Sequence, residues 1–292
     1  MNKIIILVSF RNEEENIKKF VHEVEKSFSF KNISNYEILF IDDYSSDNSF
    51  NILRELSKKN NKIKIIKMKK RYGHSHSIQA GLENLSPEDF CVLIDCDLQD
   101  PPILIAENLN FDDEKTTIHF VRKNRDDSFF QKIYSFIAYM VLNFISFGKI
   151  INNAGYFKII PPSIINSLKS NKEYLPYWNY LITKYSINNK IIYYTRGKRY
   201  SGNSKFGILT LNPWMTYFGG LYYFKYNFII LSSIFMVLIY LFNNSFNNFY
   251  GNAILNLLNF FIFSKLILFL FYLTYKKRRE KIKCEYELIN FS

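Results

Sequence analysis

The sequence predicts an α/β protein: a Rossmann-like domain on a mostly parallel sheet, followed by two transmembrane helices. Three observations point there. Short β-branched runs alternate with stretches at helical spacing, as βαβ units do. The run FCVLIDCDLQDPP, residues 90–102, passes from an almost unbroken apolar stretch into Asp95, Asp97, Gln99 and Asp100. A buried strand with acids at its carboxyl end is how open α/β sheets present a ligand site. Beyond residue 222 the alternation gives way to two long apolar stretches.

Taken in order, residues 3–9 have strand length and β-branched content. The opening MNKIIILVSF does not read as a signal peptide, because its apolar run breaks at Arg11, Glu13, Glu14 and Glu15 with no small-residue cleavage site. A helix is expected over 13–28, with Ile17, Phe20, Val21 and Val24 on one face and acids in its first turn. Residues 36–42 form a second strand, running into DDYSSDNS, where Ser45 or Ser46 can cap a helix faced by Ile52, Leu53 and Leu56. A third strand over 63–68 leads through the basic loop KKRYGHSHS to a short helix over 78–85, and residues 90–94 are the fourth strand. Then come a strand over 117–121, the charged segment RKNRDD, an amphipathic helix over 129–147, and alternating elements at 155–160, 164–168, 178–185 and 190–194. The first strand-to-helix turn, SFRNEEE, has no glycine, which disfavours a GxGxxG dinucleotide site.

Residues 222–242 carry one charge, Lys225, and residues 253–275 only Lys265; each approaches the ~20 residues that span a bilayer core. The loop between them has no Lys or Arg, and Lys276, Lys277, Arg278, Arg279, Lys281 and Lys283 follow the second stretch. The positive-inside rule then puts the C-terminus in the cytoplasm, and a two-span hairpin puts the N-terminal domain there too. Lys265 can snorkel, face a partner helix or meet a lipid phosphate. Residues 206–221, with Trp214, Tyr217 and Phe218, suit an interfacial segment. The expected organisation is therefore a cytosolic domain over 1–205, the interfacial segment over 206–221, the hairpin over 222–275 and a basic cytosolic tail over 276–292.

The net charge of +12 leaves a membrane surface or an anionic substrate as partners. Nucleic acid is disfavoured because the basic residues are spread along the chain and gather only near its end. Cys91, Cys96 and Cys284 form neither a CxxC pair nor an even disulfide set, which indicates a reduced compartment. Asp95 and Asp97 point to the same side of an extended chain and can share one hard cation, Mg2+ or Mn2+, while Cys96 between them turns inward. With Asp42 and Asp43 ending another strand, the domain offers acids for a base or ribose at one point and for a metal-bound diphosphate at another. As ordinary turn residues, the same acids would only cap the segment that follows. His74 and His76 can contact phosphate or simply be exposed loop residues, and His22 and His119 carry no functional signal.

VSFRNEEENI, FIDDYSSDNS, YGHSHSIQAGL and IDCDLQDPP, in that order and spacing, resemble the GT-A fold of inverting nucleotide-sugar glycosyltransferases. DLQDPP together with two C-terminal spans resembles the polyprenyl-phosphate branch, that of bactoprenol glucosyltransferase and dolichol-phosphate mannosyltransferase. The resemblance implies a metal site of Asp95, Asp97 and Gln99, and nucleotide contacts from Ser9, Arg11, Glu13, Ile41, Asp43, Asp95 and Cys96, with Glu13 and Asp43 holding the nucleoside. Catalysis would involve Asp95 and Asp97, with Arg122 at the diphosphate and Arg199 and Lys205 of RYSGNSKFG clamping phosphate. It further implies a UDP- or GDP-linked sugar donor, an undecaprenyl-type phosphate acceptor, an inner-membrane location among lipids, and a flippase or a second copy of the chain as further partners. The lipid-linked product would serve cell-surface glycans. Two rivals stand beside this: direct transfer to a lipid-linked or lipopolysaccharide sugar, and a catalytically silent scaffold. The sequence departs from the family at Ser9 and Arg11, where Pro and Tyr are usual. It departs also at NNAGYFKII, where Tyr156 replaces a carboxylate and Lys158 an Arg. A phosphate acceptor, with a second pKa of about 6, is already ionised and needs no base.

Overall fold

In a computed structural model of the protein, residues 3–123, 140, 143, 146, 148–170, 177–197 and 284–289 are described. The chain divides into two compact units. One comprises Met1–Lys132, Lys149–Lys205 and Cys284–Ser292, the other Ile133–Gly148 and Phe206–Lys283. The first unit carries the sheet, whose strands and helices alternate from the start. They are β1 (Ile4–Phe10), α1 (Ile17–Phe30), β2 (Tyr36–Asp42), α2 (Ser49–Lys59), β3 (Ile63–Met68), α3 (His74–Glu83), β4 (Phe90–Leu93) and α4 (Ile103–Asn108). β5 (Thr116–Arg122), β6 (Ala154–Ile160), α5 (Pro162–Lys169), α6 (Trp178–Tyr185), β7 (Asn188–Tyr194) and β8 (Tyr286–Ile289) complete it.

The sheet order is β7-β5-β6-β4-β1-β2-β3-β8. Strands β3, β2, β1 and β4 run parallel, β1 meeting β2 from Ile4 opposite Tyr36 to Phe10 opposite Asp42. Strands buried on both faces read as continuous apolar runs, which is why IIILV, ILFI and FCVL are legible as strands. Ile4, Ile6, Val8 and Phe10 pack with Ile17, Phe20, Val21, Val24 and Phe28 of α1 in one apolar core. Each such fully buried side chain stabilises the fold by about 1.5–3 kcal/mol. Helix α3 lies on the opposite face, so close that a Cβ at Gly81 would sit 2.5 Å from Leu7 Cδ1. Glycine is there for the approach, and helices α5 and α6 extend the same layer.

The sheet is mixed rather than mostly parallel. β6 runs antiparallel to both β4 and β5, β7 is parallel to β5, and β8 is antiparallel to β3. β8 comes from the stretch expected only as a basic tail: the residues after the Lys/Arg tract return to the sheet and cover the outer edge of β3. Helix α3 begins at His74, earlier than the expected 78, so both histidines of the basic loop lie in its first turn. Ser45 and Ser46 do not cap α2, whose N-cap is Asn48; they tie to Asn12 instead. No helix among the described residues is long and apolar enough to cross a membrane. Both expected spans, the interfacial segment, Arg199 and Lys205 lie outside the described residues, as does almost all of the helix expected over 129–147.

Candidate active site

The strand directions gather the candidate residues on one edge. β1, β2, β3 and β4 end there; β5 and β7, parallel to each other and antiparallel to β6, end there with Arg122 and Tyr194; β6 begins there with Ala154, Gly155 and Tyr156. The loops leaving the four central strands each turn through a residue of positive φ: Asn12 at 53°, Tyr44 at 62°, Gly73 at 93° and Leu98 at 60°. Glycine accepts this freely, whereas Tyr44 and Leu98 hold it at a cost, and such strain collects at ligand sites.

Leu98 is the pivot of the acidic turn. Asp97 accepts the Gln99 amide at 3.1 Å, and Gln99 joins the loop after β7 twice. Its carbonyl accepts from Gly197 N–H at 2.9 Å and its side-chain amide donates to Gly197 O at 3.4 Å. That pairing brings in Arg196, whose Nε donates to Asp100 Oδ1 at 3.0 Å. Arg196 Nη2 stands 3.9 Å from both Asp95 Oδ2 and Asp97 Oδ2. Asp100 also accepts the Tyr194 hydroxyl, which is in turn bonded to Arg122. Arg122 lies against Gly155, where a Cβ would come within 3.2 Å of its Nη2, so the glycine leaves room for the guanidinium. Crowding by protein, then repulsion from Asp100 and Asp97, pushes the Asp95 carboxyl up to about 7, with Arg196 and Arg122 opposing. Its outer side stays open to solvent, 38% of the side chain being exposed.

Across the edge, the β1 and β2 loops are laced together. Asn12 bonds Ser45 and Ser46, Glu13 N–H donates to Ser49 Oγ at 2.9 Å, and Glu14 accepts Asn48 N–H at 2.8 Å. The Glu13 carboxylate accepts Asn16 Nδ2 at 2.6 Å. Asp43 accepts the amides of Tyr72, at 2.8 Å, and Gly73, while Arg11 and Arg71 lie near enough to favour its charge. Burial still raises its carboxyl above the ordinary range. Ser9 pairs with Ile41 across β1 and β2. Ile41 is fully buried against the Gly81 face of α3, which leaves only its backbone to meet a ligand. Cys96 packs in the apolar core, as its position between the two acids suggests.

Tyr156 stands against His74, ring centroids 4.5 Å apart and edge to face, and bonds Ser75. Burial pushes its phenol up to about 12 and the His74 imidazole down to about 4, so both are neutral near pH 7. His74 Nε2 is buried with no hydrogen-bond partner among the described residues. Trp178 Nε1 donates to Ser75 O at 2.8 Å and ties α6 to this corner. Lys158 is fully buried, its Nζ donating to Gly155 O at 2.7 Å, and burial lowers it to about 7.

Asp95, Asp97, Gln99 and Arg122 are therefore brought together, with Glu13 and Asp43 further along the same edge. Arg196 and Tyr194 were missed from sequence, and Asp100, read there as one of the acids of the turn, was given no role. The alternation of Tyr194 and Arg196 at the end of a strand was the available signal. Asp95 and Asp97 each turn one oxygen to a single cationic atom, a guanidinium nitrogen standing where a cation would. Among the described residues no group of three or more His, Cys, Asp or Glu forms a metal cage. Two hard carboxylates suit Mg2+ or Mn2+, which take one or two protein carboxylates and fill the rest of the shell with substrate phosphate and water.

Four matches to known proteins stand beside this geometry. The uncharacterized glycosyltransferase YkcC of Bacillus subtilis (strain 168) is 30% identical over 203 residues, 69% of this chain and 62% of that protein. The putative glycosyltransferase CsbB of the same organism is 29% identical over 210 residues, 71% of this chain and 63% of that one. The chain thus spans under two thirds of the length of these relatives. A solved glucosyl-3-phosphoglycerate synthase from Mycobacterium tuberculosis aligns over 75% of this chain and 80% of its own at 14% identity and a TM-score of 0.48, a likeness too loose to bear on function. Residues 5–169, from β1 to the end of α5 and including the whole acidic turn, match glycosyl transferase family 2, and the chain belongs to that family.

Proposed function

We propose that the protein transfers a hexose from a UDP- or GDP-linked sugar to polyprenyl phosphate, with inversion and with Mg2+ or Mn2+, at the cytoplasmic face of a membrane. The observation that carries this reading is the corner in which Asp95 and Asp97 face one cationic atom while Arg122 lies beside them. A divalent cation on those carboxylates would neutralise charge on the leaving nucleoside diphosphate. Arg122, fixed by Tyr194 and by the space at Gly155, adds a second positive charge aimed at the same phosphates. Glu13 and Asp43 lie where a nucleoside would extend along the edge. In the transfer, an acceptor phosphate oxygen bonds to the anomeric carbon as the bond to the donor diphosphate breaks on the opposite face.

Tyr156 favours a phosphate acceptor over a sugar hydroxyl. A hydroxyl must lose its proton as it attacks, and a phenol pushed up to about 12 does not take that proton at neutral pH. A phosphate monoester is already ionised. Membership in a family of glycosyltransferases and the printed names of the Bacillus relatives support the transfer itself. The two apolar stretches, 222–242 and 253–275, support a site held beside the headgroup layer where such an acceptor lies. The test is transfer of label from nucleotide sugars into lipid by membranes containing the protein. A mild-acid-labile polyprenyl phosphosugar is expected, formed only with divalent metal. Label that resists mild acid overturns the acceptor, and full activity in EDTA overturns the metal.

A further inference from the structure

Arg196 is a strong cation lodged among three carboxylates at the point where a metal is needed, and its contacts with them are unequal. Its Nε holds Asp100 at 3.0 Å, whereas its Nη2 reaches Asp95 and Asp97 only at 3.9 Å each. The close partner is buried, 2% of the Asp100 side chain being exposed, and is fixed by the Tyr194 hydroxyl as well. The far partners open outward through Asp95. Gly197 and Gln99 lock the backbone of the Arg196 segment to the acidic turn, so rotation of the side chain alone changes which carboxylates it meets.

We propose that Arg196 is a resident counter-cation, a role that rests on the metal-dependent reading of the site. It lies between Asp95 and Asp97 while no metal is bound, and it withdraws onto Asp100 when a divalent cation enters. Two carboxylates side by side repel one another, and a positive charge set between them relieves that repulsion. The guanidinium supplies that charge, and its distances show how it is given up: two long contacts are lost and the short one to Asp100 stays. A bare cation must displace Arg196 against that attraction. A cation carrying a diphosphate brings new anionic oxygens for the displaced Nη2 to meet, so metal binding and nucleotide binding become coupled. The arrangement lets Asp95 and Asp97 stay in place between turnovers without holding metal tightly.

The experiment measures Mn2+ binding to the full chain in detergent, without nucleotide, by the electron paramagnetic resonance of the unbound ion. Arg196→Gln is expected to bind Mn2+ about ten-fold more tightly than the unaltered protein, within the usual range for coupled sites. Arg196→Lys keeps one charge on Asp100 but has no second arm to lay between the other two acids. It is expected to tighten binding in the same direction with an unchanged melting temperature, which guards against a misfolded glutamine variant. Arg122→Gln removes an equal charge from the same corner without touching the Asp95 and Asp97 pair, and is expected to change Mn2+ affinity by less than about two-fold. Equal tightening in Arg122→Gln overturns the proposal in favour of a diffuse field. Unchanged or weaker binding in both Arg196 variants overturns it in favour of a supporting role. If the unaltered protein binds Mn2+ neither alone nor with UDP or GDP, the metal-dependent reading itself is overturned, an outcome distinct from the other two.

Discussion

At the scale of single residues, the site is set by which side chains are left charged and which are held neutral. Tyr156 occupies the position where the resemblance leads one to look for a carboxylate, and its phenol is kept protonated by burial. Tyr156→Phe is therefore expected to leave kcat within about ten-fold of the original, because a phosphate acceptor, as proposed, would carry its own charge. A loss of several orders of magnitude in a turnover assay would show that the hydroxyl takes part in the chemistry. Gly155 is more sensitive than its size suggests. Adding one methyl pushes into Arg122 Nη2, and Gly155→Ala is expected to lower kcat/KM by about ten-fold by misplacing the guanidinium, with little change in melting temperature. Asp95 and Asp97 were legible in the sequence because an apolar run that stops in acids is a local pattern. Arg196 was not, because the carboxylate that fixes it lies 96 residues away and only the sheet brings them together. Asp43 was legible as an acid at a strand end, but the Tyr72 and Gly73 amides that hold it belong to a loop after a different strand.

At the scale of elements, β5 and β6 bury bases where a sheet interior normally holds apolar side chains. His119 is fully buried with Nε2 bonded to Asn189 at 2.7 Å, and burial, then the nearby Lys158, lowers it to about 3. An unfolded histidine titrates near 6.5. Between those values the unfolded chain takes up a proton that the folded chain refuses, so stability falls as pH drops from about 6.5 toward about 3. His119→Gln is expected to remove up to about 1.4 kcal/mol per pH unit of that slope, read from melting temperatures or denaturant midpoints at pH 7 and pH 4.5. An unchanged slope would show that another group carries the acid sensitivity. β8 is the other element that the sequence hid. The ends of its short run are half-buried and its middle is exposed, so it shows no apolar alternation, and its partner β3 lies more than 200 residues earlier. Its start is tied to the edge of the candidate site: Glu285 N–H donates to the Tyr72 hydroxyl at 3.0 Å, and Tyr72 N–H donates to Asp43. Ending the chain at residue 283 is expected to cost about 1–3 kcal/mol, expose β3 as an edge and weaken UDP or GDP binding. Nucleotide affinity equal to that of the full chain would separate β8 from the site.

At the scale of the whole molecule, the parallel strands β1 to β4 followed from alternation of apolar runs with helical spacing. The antiparallel direction of β6 did not follow, because direction depends on the route of the chain between residues 123 and 154 and not on any pattern within AGYFKII. Three thiols offer a simple probe of how the chain is placed. Cys91 and Cys96 are buried and Cys284 is partly accessible, so a membrane-impermeant maleimide is expected to label the native protein at Cys284. With the domain on the cytoplasmic side, labelling should occur in inside-out vesicles and not in intact spheroplasts; the reverse pattern would place the domain outside. The hydrogen bonds between β3 and β8 add a second constraint on that placement. Two strands of one ladder cannot lie on opposite sides of a bilayer, so β3 and β8 share one compartment. A reporter fused after residue 289 is expected to report the same compartment as one fused ahead of β1, and opposite compartments would show that the four backbone pairs joining β3 to β8 do not form in the membrane-bound chain.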